Sequence, residues 1–304
     1  CGRASTREMT EILRQSGVEV LYVATETPLG VAAIRAARKL NLPVVSGFHT
    51  NFQTYLQDYH LPGLEKAAAA LLRRLHNQTQ RTLTPSEDTA AVLRGWGVNN
   101  VGVLGRGVNT ELFHPDKRDE ELRRSWGAGP DDLVAIHVGR LAAEKNLELA
   151  AKAFTTMRAA HSGLTSVFVG DGPKAKTMAQ EHPEFVYAGA RTGEDLARHY
   201  ASADLFIFPS LSETFGNVVL EAMASGLAVV AFDYAAPRLV IRHGANGWLA
   251  PFVDEDAFLD AAVGACAEEN PEGVRASARR TALEHSWERI IDQLEGELMS
   301  ARET

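Results

Sequence analysis

Residues 205–232 read LFIFPSLSETFGNVVLEAMASGLAVVAF. Leu205 to Phe208 is a short uninterrupted apolar run, which reads as a strand buried on both faces. Ala228 to Phe232 is a second such run. Between them Gly216 opens a helix that carries Val218, Val219, Leu220 and Met223. Strand, loop, helix, strand is the unit of a parallel sheet, and the same rhythm extends in both directions. Downstream of the N-terminus, Val18–Ala24, Pro43–Gly47, Arg81–Thr84 and Val101–Leu104 read as strands, with helices at Pro28–Leu40, Leu64–Asn77 and from the Ser86 cap to Arg94. A second series follows, with strands at Leu133–Val138, Ser166–Val169 and Phe185–Tyr187 and a helix at Leu147–Arg158. The fold class is doubly wound α/β.

The chain has 304 residues, long for one core and comfortable for two. Gly105-Arg106-Gly107-Val108-Asn109, followed by Phe113-His114-Pro115-Asp116, is a glycine and proline break that places the domain boundary near residue 107. Hydrophobic residues make up 45% and charged residues 23%, which excludes a disordered chain. No apolar run approaches the roughly 18 residues of a spanning helix. Two cysteines, Cys1 and Cys266, supply neither a disulfide framework nor a cysteine zinc site, so the cytosol is expected. Residues 1–107 hold 12 Lys and Arg against 8 Asp and Glu, and the remainder 19 against 31. That asymmetry argues against nucleic acid as a partner. It leaves the N-terminal part as the side for a peripheral contact with anionic lipid at the inner membrane face, with a chance distribution of solvated charge as the competing reading. Lys66, Arg73, Arg74, His76 and Arg81 beside Ala67 to Leu72 would form its basic face, or else one side of an ordinary core helix.

An open parallel sheet binds ligands beyond the carboxyl ends of its strands, so the chemistry is sought there. Gly216 lets a ligand approach the backbone, and the N–H groups of Asn217 and Val218 with the positive end of the helix dipole invite an anion. Glu213 before that helix and Glu221 one turn inside it bracket the anion and accept hydrogen bonds from sugar hydroxyls. After the strand Leu133–Val138, the run Gly139-Arg140-Leu141-Ala142-Ala143-Glu144-Lys145-Asn146 offers a planar fork in Arg140 and a point charge in Lys145, suited to a diphosphate. Alternatively Lys145 pairs with Glu144 or Glu148 as an ordinary surface charge. His49 and Glu26 also follow strands, and Glu26 is a candidate for touching an acceptor. His137, inside a strand, reads as core. Asp254-Glu255-Asp256 reads as a helix-start acid cluster rather than a metal site, and the histidines show no paired metal spacing, so neither metal nor cofactor is expected.

The segments Gly139-Arg140-Leu141 with Glu144-Lys145-Asn146, Val169-Gly170-Asp171-Gly172-Pro173, Tyr200-Ala201-Ser202-Ala203-Asp204, and Glu213 with Glu221 at a seven-residue gap resemble the retaining GT-B glycosyltransferases of group 1. Within them the chain is similar to GDP-mannose-dependent α-mannosyltransferases. Thr25-Glu26-Thr27-Pro28-Leu29-Gly30 and Ser46-Gly47-Phe48-His49-Thr50-Asn51-Phe52 extend the likeness upstream, over nearly the whole chain. The resemblance implies two Rossmann-like domains facing a cleft. Residues 108–286 would bind a nucleotide sugar and residues 1–107, completed by a closing helix in 287–304, would bind the acceptor. It implies that Arg140 and Lys145 hold the diphosphate, that Glu213 touches the hexose and Glu221 the ribose, and that Gly139, Thr214, Phe215, Gly216, Asn217 and Val218 add donor contacts. Ala190 and Arg191 would lie by the base, and His49 would act near the anomeric centre, orienting the transferred sugar. Family members begin with a strand and glycine-containing loop that residues 1–16 do not supply, so the N-terminal domain is expected to be truncated in this sequence.

The expected activity is transfer of a hexose, mannose from GDP-mannose, with retention and without a metal, to a hydroxyl acceptor for which a lipid or glycolipid is a candidate. The alternatives are a UDP-sugar-dependent lipid glycosyltransferase, a sugar-nucleotide epimerase on the same fold, and a non-catalytic nucleotide-sugar-binding protein.

Overall fold

The computed structural model describes residues 4–49, 64–213 and 215–303. The chain divides into two compact units, one formed by residues 1–106 with 288–304 and the other by residues 107–287.

The first unit alternates helix α1 (Thr6–Ser16), strand β1 (Leu21–Val23), α2 (Pro28–Lys39), β2 (Val44–Gly47), α3 (Leu64–His76), β3 (Arg81–Thr84), α4 (Glu87–Gly95) and β4 (Val101–Val103). The strands lie in the order β1-β2-β3-β4, all parallel. Local chemistry fixes where the helices start. Ser5 and Glu8 form a reciprocal capping box, Pro28 occupies the first turn of α2 behind a Thr27 cap, and the Ser86 hydroxyl accepts from Thr89 N at 3.2 Å. The first strand is shorter than its sequence suggests, because Val18 is exposed and Glu19 faces Arg302. The closing helix Trp287–Arg302 packs Ile290 and Ala301 with Val45, Leu83 and Leu104.

Helix α3 fits the reading of a core helix with one basic side, and the basic residues named for it divide between its two sides and β3. His76 is 1% exposed and lies on the side of Leu72 and Leu75, inside the unit. Arg81 stands on β3 and pairs with Glu297. Lys66, Arg73 and Arg74 remain outward, beside Leu71 at 69% exposure.

The second unit runs through α5 (Glu120–Ser125), β5 (Leu133–Val138), α6 (Leu147–Ala160), β6 (Leu164–Val169), α7 (Ala175–Glu181), β7 (Val186–Gly189), α8 (Gly193–Ala201), β8 (Leu205–Phe208), α9 (Asn217–Ala224), β9 (Ala228–Phe232), α10 (Ala235–Val240), β10 (Gly247–Ala250), α11 (Glu255–Cys266) and α12 (Pro271–Glu284), after which the closing helix is α13. Six parallel strands lie in the order β10-β9-β8-β5-β6-β7. Side chains alternate across the sheet, so Phe206 and Phe208 join one core layer and Ile207 the other. Phe185 is core beside β7 rather than a strand residue. The acid cluster at 254–256 starts α11, with the Asp254 side chain accepting from Ala257 N. Asp204 accepts from Arg118, Arg123 and Arg275, and from Val134 N at 2.9 Å, so the end of the Tyr200–Asp204 motif anchors the strand edge.

Sheet order creates a switch point. β5 and β8 are neighbours, but α6 leaves β5 for one face, with Leu147 and Leu149, while α9 leaves β8 for the other, with Leu220 and Met223. The connections diverge beyond the strand ends and open a crevice there.

Candidate functional site

The loops after β5, β6 and β7 are stitched side by side. Gly139 N donates to Val169 O at 3.0 Å, Leu141 N to Asp171 O at 2.9 Å, Lys174 N to Leu141 O at 2.9 Å and Gly170 N to Gly189 O at 2.9 Å. The approach at Gly170 is close enough to exclude a side chain, since a Cβ there would lie 1.8 Å from Gly139 O. This scaffold sends Arg140 outward, 68% exposed and with Nη1 3.8 Å from Glu144. A single 3₁₀ turn, Ala143–Lys145, then brings Lys145 back over the switch point.

Lys145 meets Glu213 across that crevice in an ion pair whose side chains are 17% and 11% exposed. Ser210 Oγ donates to Glu213 Oε1 at 2.7 Å, and Leu211 N donates to Glu144 O at 3.2 Å. The loops that follow β5 and β8 are therefore joined by charge and by backbone. The Lys145 ammonium lies 5.9 Å from the Phe208 ring centroid. Neither Glu144 nor Glu148 takes it; Glu148 pairs with Lys174.

Phe215 is buried, and its carbonyl accepts from Ala236 N at 2.8 Å. Gly216 takes φ +95, a left-handed conformation that favours glycine, and starts α9 without a side-chain cap. Asn217 is exposed and Val218 half-buried at that helix start. Uncapped N–H groups at a helix start favour an anion. Glu221 lies one turn in and accepts from the Tyr200 hydroxyl at 3.2 Å. Burial pushes its carboxyl above the usual range, and the Tyr200 hydrogen bond opposes that.

Ala190 is exposed, and Arg191 is folded onto its own loop: Nε and Nη2 donate to Ala188 O at 2.9 and 2.6 Å, and Nη1 reaches Asp195 at 3.1 Å. Thr214 lies outside the described residues, as do Thr50, Asn51 and Phe52. In the first unit, His49 Nε2 lies 3.2 Å from the Tyr22 hydroxyl. Burial, then the positive charge of Arg106, lowers the His49 pKa, with Glu26 opposing. Glu26 is 16% exposed and lies 3.4 Å from His76 Nε2, while His76 Nδ1 lies 3.0 Å from Ser46 Oγ.

Ser210 and Tyr200 are site neighbours that the sequence reading gave no role. Tyr200 lies in the Tyr200–Asp204 motif; Ser210 carries no signal beyond its place after a strand. Among the described residues no group of three or more His, Cys, Asp or Glu is arranged to hold a metal.

His137 lies beneath this site. Its Nδ1 lies 2.9 Å from Ile207 O, its Nε2 is buried without a hydrogen-bond partner, and burial lowers its pKa from 6.5 to about 4. Above pH 6.5 the ring is neutral in folded and unfolded chains alike. Between there and about pH 4 the unfolded ring binds a proton that the folded ring refuses, so stability falls with pH, by about 3 kcal/mol from this group. Urea midpoints measured across that window should drop less in His137→Leu than in the wild type; an unchanged slope would contradict the assignment.

Two units, each built on a parallel α/β sheet, are the architecture of GT-B glycosyltransferases. The structure of Anabaena HepE in complex with UDP superposes with a TM-score of 0.78 at 20% identity, over 97% of this chain and 82% of that one. The family Glycosyl transferases group 1 matches residues 132–268, and Glycosyltransferase Family 4 matches residues 2–112. The GDP-mannose-dependent alpha-mannosyltransferase of Corynebacterium glutamicum is 35% identical over 94% of this chain and 68% of its own. The enzyme of the same name from Mycobacterium tuberculosis is 36% identical over 98% and 77%. The chain belongs to the group 1 glycosyltransferases.

Proposed function

We propose that this chain transfers a mannosyl residue from GDP-mannose to a hydroxyl acceptor, with retention and without a metal ion. The observation that carries the reading is the Lys145–Glu213 pair beside the uncapped start of α9, at the switch point of the second unit. The relatives' names supply the sugar and the base.

Loss of GDP from the anomeric carbon builds negative charge on the β-phosphate. Lys145, Arg140 and the N–H groups at Asn217 and Val218 supply positive charge and donors to that oxygen anion, a role fixed dipoles perform without reorganising. The donor displaces Glu213 as the partner of Lys145, and the carboxylate turns to the hexose hydroxyls. Glu221 accepts from the ribose. No protein nucleophile is assigned, and the departing phosphate serves as base to the incoming hydroxyl on the same face. The lowered pKa of His49 suits a neutral hydrogen-bonding imidazole rather than a cation.

Exposed Leu71 among Lys66, Arg73 and Arg74 supports a peripheral contact with anionic lipid and hence a lipid acceptor. No helix among the described residues is long and apolar enough to cross a membrane.

The test is nucleotide release from GDP-mannose and from UDP-glucose, each with and without a lipid extract. Acceptor-dependent release of GDP, with little UDP, is expected. Binding of GDP-mannose with no turnover under any acceptor would favour a sensor, and preferential use of UDP-glucose would overturn the donor assignment.

A further inference from the structure

We propose that Tyr200 is a positioning residue, whose hydroxyl fixes the Glu221 carboxylate so that it can accept from the vicinal hydroxyls of the donor's ribose. The inference rests on the reading of Glu221 as the ribose ligand.

Tyr200 is fully buried on α8, with its ring edge-on to Phe113 and Phe206 at centroid distances of 5.8 and 5.9 Å. Those contacts pack the ring from two sides. Its hydroxyl ends on Glu221 Oε2, 3.2 Å away on the neighbouring helix α9. Among the described residues this is the hydrogen bond that the Glu221 carboxylate accepts, and its Oε1 takes none.

A buried carboxylate is a poor acceptor if it protonates, and burial drives Glu221 in that direction. The Tyr200 hydrogen bond is the counterweight. Burial and the adjacent carboxylate hold the phenol's own pKa well above its usual value, so it stays protonated and donates. Core filling alone would be served equally by phenylalanine, since the hydroxyl adds nothing to the contacts with Phe113 and Phe206. What the hydroxyl does add is a fixed direction and a preference for the charged form of Glu221.

Calorimetry on the full chain separates these roles. GDP and 2′,3′-dideoxy-GDP are titrated into wild type and Tyr200→Phe between pH 5 and 8. Tyr200→Phe should weaken GDP about tenfold, as loss of one hydrogen bond to a charged group would, and the dideoxy nucleotide less than twofold. The acid limb of GDP binding should move to higher pH in the variant. In a Glu221→Ala background the same exchange should change GDP affinity less than twofold. Equal wild-type affinity for the two nucleotides would overturn the ribose reading itself. Wild-type discrimination that survives unchanged in Tyr200→Phe would overturn only the role of Tyr200. Equal weakening of both nucleotides would reduce it to packing and also overturn the proposal. If Tyr200→Phe fails to fold, the hydroxyl is needed by the core, and the positioning role is rejected.

Discussion

Replacing Lys145 by alanine should slow transfer by roughly 30- to 1,000-fold, the loss expected when one preorganised donor to a developing oxyanion is removed. The effect divides between two causes that point the same way. The ammonium no longer stabilises the departing diphosphate, and the carboxylate of Glu213, 11% exposed and relieved of that charge, repels it. Arg140→Ala should fall toward the lower end of the range. Its guanidinium is 68% exposed and must give up rotamer freedom before it can engage a phosphate, which offsets part of what it contributes. Lys145→Arg keeps the charge but needs more room beside Phe208, so partial recovery of turnover is expected. Single-turnover rates with GDP-mannose give the comparison, with melting temperatures taken alongside because the ion pair is largely buried. Turnover of Lys145→Ala within threefold of wild type, in a folded protein, would remove Lys145 from the chemistry.

That prediction depends on a contact which spacing along the chain could not reveal. Lys145 and Glu213 are 68 residues apart, and local pattern offered Glu144 or Glu148 as partners. Their meeting follows from sheet order: β8 inserts beside β5 after β6 and β7 have been laid down on the other side. Sequence spells out the strand ends and the glycine turns but not which strand ends are neighbours. Tyr200 and Glu221 repeat the lesson across two adjacent helices. Strands with long apolar runs, such as Leu133–Val138 and Ala228–Phe232, were legible because burial on both faces writes itself into composition. The edge strand Gly247–Ala250 has one partner, opens with glycine and left no such run. Helix α8 was missed for a related reason. Its first turn holds Glu194 and Asp195 and its last Arg198, and these charges mask the face that Ala197, His199 and Tyr200 bury. His76 was readable and misread: it falls four residues after Leu72, on the side of the helix that Leu72 and Leu75 turn inward.

Gly170→Ala should destabilise the fold by about 3 kcal/mol or more and abolish measurable GDP binding. Two penalties combine at this position. The backbone sits at φ +142, where any side chain is strained, and the added Cβ would lie 1.8 Å from Gly139 O and 3.0 Å from Gly139 C. Those are backbone atoms, so the clash cannot be relieved by a rotamer change. Gly139 must move away by more than an ångström, yet its N–H is tied to Val169 O and the next-but-one residue to Asp171 O. Movement there breaks the end of the β5–β6 ladder and drags Arg140 and the turn that carries Lys145 off the crevice. Gly127→Ala is the control, since Gly127 has φ +85 but nothing within 4 Å of a built Cβ. It should cost only about 1 to 2 kcal/mol of backbone strain and leave GDP affinity unchanged. Urea midpoints and calorimetry on both variants distinguish steric exclusion from conformational strain. If Gly170→Ala unfolds at the same midpoint as Gly127→Ala and still binds GDP, the stitched loops are not what holds the cationic side of the site.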